Sequence, residues 1–430
     1  MVDWMSSERL YRNPAFVSYL SAQAISYVGT GITTVVLPVL VYRDTGSPIA
    51  VASLNAIEIV PYVIFGLLAG ALADRLNGKK MMLACDGTAA LLLAAVPAAA
   101  ALHLLTLAQL FIVAFGIGTA FVWFDAAKWG SLPALVGRAQ LPAASSLIAS
   151  ANSIPLIAGP ALGGVLLTFI APQYALGFDA ASYLMSALLL TSIRQRMGPP
   201  PQQDIEKHRH IRSDIMEGLR FLWYQPVIRT MTLSVFCACV SWGGTFGLIV
   251  VYADRALGLT HANARLGLLY SVGELGSLVS LAVVPKLVKR SQIGRLMAAF
   301  LVANVAALAL LAIAPSYGWA LALFCCYQLV FVLVTMTGIS VRQMLTPDHL
   351  QARVNTAGRL IAYGVGQPTG AILGGLLAQL LPIRLAFGFL AIGVAVGAGL
   401  AWRSCLGSGP LSAVSLPLGQ HDLPAKPSPP

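Results

Sequence analysis

Residues 48–80 read PIAVASLNAIEIVPYVIFGLLAGALADRLNGKK. From 48 to 73 the only charge is Glu58, and then Asp74, Arg75, Lys79 and Lys80 follow in quick succession. At 1.5 Å of rise per helical residue, an apolar run of this length crosses a hydrocarbon layer of about 30 Å. Inside such a layer no water satisfies backbone N–H and C=O groups, so the run must be a helix that bonds to itself. The sudden charges mark the point where it leaves the lipid.

The rest of the chain repeats this pattern. Of its 430 residues 57% are hydrophobic and 10% charged, and its mean hydropathy is +0.78. Soluble domains carry about a quarter charged residues, so the bilayer is the solvent here. Apolar runs predict spans over 16–41, 48–73, 81–102, 105–127, 142–170 and 174–193, then 227–252, 264–284, 294–314, 318–341, 354–381 and 383–403. The expected fold class is an all-α membrane protein with twelve transmembrane helices. Its domains are two six-helix halves, 1–193 and 227–403, joined by a linker over 194–226. Within that linker, Ile215, Met216, Leu219, Phe221, Leu222 and Trp223 alternate with Arg212, Glu217 and Arg220 as in an amphipathic surface helix. The Pro- and Ser-rich tail, 404–430, is expected to be disordered.

Charge placement orients the chain. Of 27 Lys and Arg, only Arg43, Arg255, Arg265 and Arg384 fall in loops on the side away from the termini. Basic loops stay cytoplasmic, so both termini are expected inside and the chain is expected to be a multi-pass protein of the inner (plasma) membrane. The formal net charge of +11 is this same asymmetry, spread over separate loops, and does not form a nucleic-acid patch. Met1 to Asn13 lacks a cleavable signal pattern, because Asp3 and Glu8 break the charge and the first apolar run is too long.

Several chemistries have no place to sit. Cys85, Cys237, Cys239, Cys325, Cys326 and Cys405 fall inside predicted helices or at a cytoplasmic end, which leaves no external pair to oxidise. All six His lie in loops, helix ends or the tail, and His208 and His210 have no further ligand nearby, so no metal or cofactor is expected. No Gly-x-x-x-x-Gly-Lys-Ser/Thr loop is present to cradle ATP phosphates. An enzyme would need catalytic groups converging at one depth. Secondary transport of a small molecule leads, with a channel, lipid scramblase or membrane sensor as the other classes. A monomer is expected.

The halves echo each other. Gly159-x-x-x-Gly163-Gly164 in the fifth predicted span returns as Gly370-x-x-x-Gly374-Gly375 in the eleventh, each after a loop carrying Arg138 or Arg353. Small residues at this spacing let helices pack closely, and their recurrence at matching places indicates a parallel repeat with a pseudo-twofold axis.

The segment Gly66 to Lys80, with Gly70, Asp74, Arg75, Lys79 and Lys80, resembles the loop between the second and third helices of the major facilitator superfamily. Here Asn77 stands where that motif usually has its second Gly. Further likenesses are Tyr11-Arg12-Asn13-Pro14, Phe124-Asp125-Ala-Ala-Lys128, Leu132-Pro133 and the run from Leu345-Thr346-Pro347-Asp348 through Ala352-Arg353-Val354-Asn355 to Arg359. These are similar to the branch of macrolide and drug efflux proteins and enterobactin-type siderophore exporters. The resemblance implies the major facilitator fold and proton-coupled export by alternating access. It also implies a cytoplasmic gate at Gly70, Asp74, Arg75, Lys79 and Lys80, with Gly70 allowing close helix approach. Gly159-Pro160-x-x-Gly163-Gly164 resembles the core of the antiporter motif, although Pro155 and Ser146 replace its upstream glycines. Many relatives have an acid after the first-span glycine and an Arg after the third-span Asp; this chain has Thr30 after Gly29 and Ala89 after Asp86.

A charge at the bilayer centre costs about 3 kcal/mol or more. Glu58 and Glu274 are the acids placed near mid-span without a basic partner within four residues on the same helix. Each is a candidate for proton coupling or for holding a cationic substrate, with a hydrogen-bonded structural role as the alternative. Asp86 is the next candidate. Asp125 and Lys128, three apart, can neutralise each other on one helix face, and Arg353 and Arg359 complete the candidate charge network. Tyr27, Tyr62, Trp123, Trp242, Phe246, Tyr270, Tyr327 and Tyr363 suit an amphipathic substrate, though interfacial belts use the same residues.

Overall fold

The computed structural model describes residues 10–73, 76–137, 140–195, 197, 211–259, 264–288, 293–347 and 350–403. Among these, twelve helices are long and apolar enough to cross a membrane. The first half contains α1 (Pro14–Thr45), α2 (Pro48–Ala73), α3 (Gly78–Ala101), α4 (Leu107–Val136), α5 (Leu141–Phe169) and α6 (Pro172–Ser192). The surface helix α7 (Ile211–Tyr224) follows. In the second half α8 (Pro226–Gly247) breaks at Leu248 and continues as α9 (Ile249–Arg255). Next come α10 (Ala264–Val288), α11 (Ile293–Ala312) and α12 (Tyr317–Leu345). The eleventh span combines α13 (Gln351–Arg359), a π turn (Leu360–Gly366) and α14 (Gln367–Leu380), and α15 (Ile383–Arg403) is the twelfth. The tail from 404 and most of the linker before 211 lie outside the described residues.

Local chemistry sets the ends. Asn13 accepts from the N–H groups of Ala15 and Phe16, and Pro14 opens α1 where a missing N–H costs nothing. Gly46 closes α1 at φ 60°, its N–H donating to the Tyr42 carbonyl. Asn77, the departure from the gate motif, is the N-cap of α3 and accepts from the Lys80 N–H.

The repeat is visible in the packing of the two glycine motifs. Gly163 lies against α1, where an added side-chain carbon would stand 3.1 Å from the Ile32 Cα; its counterpart Gly374 lies against α8, 2.9 Å from the Gly244 Cα. Gly159 and Gly370 likewise abut α1 and α8, at Gly31 and Val240. The last glycine of each motif faces the other half. Gly164 meets Gly267 of α10, and Gly375 meets Ile49 and Ala52 of α2.

Contacts between halves concentrate on the side away from Pro14 and Arg403, here called the far side. There one apolar cluster draws on both halves, with Val36, Leu54, Val250 and Leu390 among its members. Tyr42 of α1 donates to Asp254 of α9 (2.9 Å), and Arg255 donates to the Tyr42 hydroxyl (3.2 Å). Toward the terminal side the clusters separate. One lies around Tyr19, Met82 and Leu190, the other around Met231, Met297 and Val341. The halves are closed together on the far side and apart on the terminal side.

Candidate functional site

Asn55, Glu58 and Tyr62 share one face of α2, the face turned toward the second half. Glu58 lines a cavity with Thr33, Thr34, Pro38 and Asn55 from the first half and Phe246, Gly247 and Tyr270 from the second. Gly118 lets α4 pack directly on the Glu58 carbonyl, since any side chain there would collide with it. The Glu58 carboxyl itself makes no hydrogen bond or ion pair with a described residue. Glu274 stands on α10 one turn from Ser271 and two from Gly267. That face meets α5: Ser271 donates to the Ile157 carbonyl at 2.6 Å, and Gly267 abuts Gly164. Glu274 also lacks a hydrogen-bonding or charged partner among the described residues.

Aromatic rings extend from this cavity into the second half. Phe246 meets Tyr270 edge-on at 5.3 Å and stacks on Trp242 at 4.5 Å, and Trp242 stacks on Phe331 at 5.5 Å. Trp242 Nε1 donates to Gln328 at 2.8 Å, which fixes the ladder. In the first half Phe65 bridges Phe115 and Trp123. On the terminal side of the ladder the Arg359 guanidinium lies 5.6 Å from the Tyr62 ring centroid, across the gap between halves.

A second cavity, with about 480 Å³ of empty volume, opens within the first half. It is lined by Gln23, Tyr27, Thr30, Asp86, Lys128 and Tyr183 among others. Asp86 is buried; Oδ2 accepts from Ser186 at 2.7 Å, while Oδ1 has no partner among the described residues. Asp125 and Lys128 form the expected i,i+3 pair at 2.7 Å.

Sequence reading missed Asp179, which the structure places at the depth of Gly29 and Thr33, near the middle of α1. Glu58 and Glu274 are therefore not the only mid-span acids without a same-helix base. Asp179 is fully buried, accepting from Thr33 at 2.5 Å and from Ser182 at 2.9 Å. A side chain at Gly29 would strike Asp179 and Ser182, so the glycine makes the room that this acid of α6 occupies against α1. The signal was present. Asp179, Ser182, Tyr183 and Ser186 fall at i, i+3, i+4 and i+7, a polar stripe on an otherwise apolar span. Thr30 and Tyr183 share a hydrogen bond at 3.1 Å, which joins the stripe to α1. Asp179→Ala is expected to strip the Thr33 hydroxyl of its acceptor, leave Ser182 only the backbone carbonyl of residue 179, and lower stability by about 1–3 kcal/mol, while Asp179→Asn, which keeps an acceptor oxygen, costs less. Thermal unfolding of the purified variants checks this, and an Ala variant as stable as the parent would refute the structural role.

The gate motif is seen in part. Asp74 and Arg75 lie outside the described residues. Lys79 donates to the carbonyls of Thr191 (3.0 Å) and Ile193 (2.6 Å), capping the negative end of α6, and Lys80 is exposed. At Gly70 a side-chain carbon would meet nothing within 4 Å among the described residues, so it makes no close approach to any of them in this state. That follows from the separation of the halves on the terminal side. Arg353 pairs with Glu217 of α7, and Gly218 lets that helix lie on the α13 backbone. Arg353 thus tethers α7. Among the described residues no group of three metal-ligating side chains occurs.

The profile of the Major Facilitator Superfamily matches residues 19–367. The chain belongs to this superfamily of membrane transporters. It is similar to the multidrug efflux pump Tap of Mycolicibacterium fortuitum, 28% identical over 222 residues, covering 50% of this chain and 53% of that one. It is also similar to the enterobactin exporter EntS of Shigella boydii, 28% identical over 239 residues and 54% of each chain. The chain thus spans about half the length of the curated relatives it matches. In fold it resembles the nucleoside transporter NupG, with a TM-score of 0.73 at 14% identity over 91% of this chain and 99% of that one. A bacterial homologue of the lysosomal transporter Spinster, in an inward-facing state, gives a TM-score of 0.73 at 12% identity, over 91% and 96%.

Proposed function

We propose that this chain exports a small amphipathic compound across the inner membrane in exchange for protons. The observation that carries the reading is Glu58: a carboxyl with no partner among the described residues, in a cavity whose walls come from both halves. A proton arriving there removes a buried charge at the contact that must open and close, and a few kcal/mol is enough to shift a two-state equilibrium. The names of the relatives, an efflux pump and an exporter, support the direction. With basic loops and both termini in the cytoplasm, the state described is open to the cytoplasm, ready to load cargo for export. The aromatic ladder beside Glu58 suits a flat, greasy body, as in drug-like molecules. Similarity to the enterobactin exporter supports the second reading, export of a siderophore or other endogenous metabolite. Uptake of dyes, antibiotics and siderophores into inverted vesicles under an imposed pH gradient tests both; no gradient-dependent movement of any of them would overturn the proposal.

The gate residues enter the same cycle. Gly70 faces open space in the inward-open state, and in the opposite state Asp74 and Arg75 would come against the second half. Asp74→Asn is expected to slow transport on the order of tenfold, equivalent to about 1.4 kcal/mol of lost contact, without reducing membrane insertion. Normal transport by that variant across the substrate range would remove the latch role.

A further inference from the structure

The two halves carry a basic residue at matching places. Lys128 precedes Leu132-Pro133 near the terminal-side end of α4, and Arg342 precedes Leu345-Thr346-Pro347 near the same end of α12. Lys128 has Asp125 on the preceding turn, 2.7 Å away. Arg342 has Ile339 at that position, so the second half carries the cation without the acid.

Arg342 is nevertheless buried, at 3% exposure. Its Nε donates to Asn355 at 2.9 Å, and its guanidinium lies so close to Gly358 that any side chain there would collide with it. No carboxylate among the described residues reaches it. Among the described residues the ionisable groups that act on it are Tyr363 and Arg359, a phenol and a second cation. Arg359 is exposed to the gap between halves and sits over the Tyr62 ring of α2, one turn from Glu58. The π turn Leu360–Gly366 begins directly after it, and such interruptions are frequent at functional sites. A buried guanidinium held in place by an amide and a glycine, against the helix turn that carries a second guanidinium, with no acid among the described residues to balance them, is a costly arrangement for a fold alone. Two guanidiniums match the geometry of a carboxylate, phosphate or phenolate.

We infer that Arg342 and Arg359 form an anion site at the mouth of the central cavity. It receives the acidic group of the transported compound while the aromatic ladder from Phe246 to Phe331 takes its apolar body. This rests on the export reading above and narrows it to amphipathic anions. Asn355 positions Arg342, and Gly358 provides the room.

Pyrenebutyrate, pyrenebutanol and pyrenebutylamine share one aromatic body and differ in head-group charge. Their affinities for the purified full chain in nanodiscs of zwitterionic lipid are read by energy transfer from tryptophan. The wild-type protein is expected to favour the butyrate over the butanol by about tenfold or more, with the amine weakest, since a charge-assisted hydrogen bond is stronger than a neutral one. Arg342→Gln and Arg359→Gln should each reduce the butyrate-to-butanol ratio, Arg342→Lys should restore part of it, and the double Gln variant should abolish it. Equal binding of butyrate and butanol by the wild type, or a preference that survives the double Gln change, overturns the site. A preference that vanishes once anionic lipid is included in the nanodisc shows that the pair holds a lipid headgroup, which overturns the substrate role. No gradient enters the measurement, so a positive result without proton-driven transport sinks the coupling proposal and leaves the anion site standing.

Discussion

Gly164→Leu and Gly375→Leu are expected to abolish most transport by opening the far side of the protein. In the state described, α5 and α10 come so close that a carbon added at Gly164 would stand 2.7 Å from the Gly267 Cα. The repeat-related contact is similar, with a carbon at Gly375 2.7 Å from the Ala52 Cβ and 3.0 Å from the Ile49 Cα. A leucine cannot enter either seam unless the halves part. Overpacking costs about 1–3 kcal/mol, and here it falls on the far-side-closed state alone. That difference moves the balance between states about 5–150-fold. Spin labels on the far-side ends of α1 and α9 should therefore move apart in both variants. Gly163→Leu and Gly374→Leu make a useful contrast, because their clashes are with α1 and α8 of their own half. They should impair motion and lower thermal stability without favouring one state. Unchanged label distances together with wild-type transport in the Gly164 and Gly375 variants would show that these seams do not set the far-side gate.

Most of the architecture was legible because lipid leaves few options: apolar runs of about twenty residues must be helices. The predicted spans match the observed ones, with the largest difference at the terminal-side end of α4 and smaller extensions at the ends of α1, α10 and α12. Helices α4 and α12 run on to Val136 and Leu345 through less apolar turns, which the lipid-crossing rule does not require. The repeat was legible for a similar reason, since close packing in lipid demands small residues and few other sequences supply them. Which partner each glycine meets was not. Gly163 and Gly164 are neighbours in sequence yet face different halves, because adjacent residues on a helix point about 100° apart.

The site was legible only in its charges. Glu58 and Glu274 stand out as candidates because no same-helix base lies near them, and both stand on faces that meet the other half. Asp179 was missed because its partners, Thr33 on α1 and Ser182 on its own helix, are neutral hydroxyls, and a search for ion pairs passes over them. Arg342 was hidden because its reading depends on comparison with Lys128 in the other half and on a partner, Asn355, in the next helix. Gly70 illustrates a different limit: a motif read from sequence describes contacts over the whole transport cycle, while one conformation shows only some of them.

The largest functional effect is expected at Glu58. Its Gln variant should still bind cargo and exchange it across equal concentrations, yet lose accumulation driven by a pH gradient, because the amide imitates only the neutral carboxyl. Binding and coupling would then separate in one protein. Gradient-driven accumulation should fall by tenfold or more, about 1.4 kcal/mol, while equal-concentration exchange remains. Glu274→Gln is the parallel test, since that acid also faces the other half without a described partner, and the double variant covers the case in which either can serve. Other roles predict other patterns. A carboxylate that holds a cationic compound would, as Gln, weaken cation binding and spare neutral compounds. A merely structural acid would lose expression and thermal stability with no change in pH dependence. If both single variants and the double variant keep gradient-driven export with unchanged pH dependence, coupling does not pass through α2 or α10. Asp86 then becomes the next position to test: it lines the first-half cavity, and one of its buried oxygens has no partner among the described residues. Asp179 is the weaker choice, since both of its oxygens already accept hydroxyl protons.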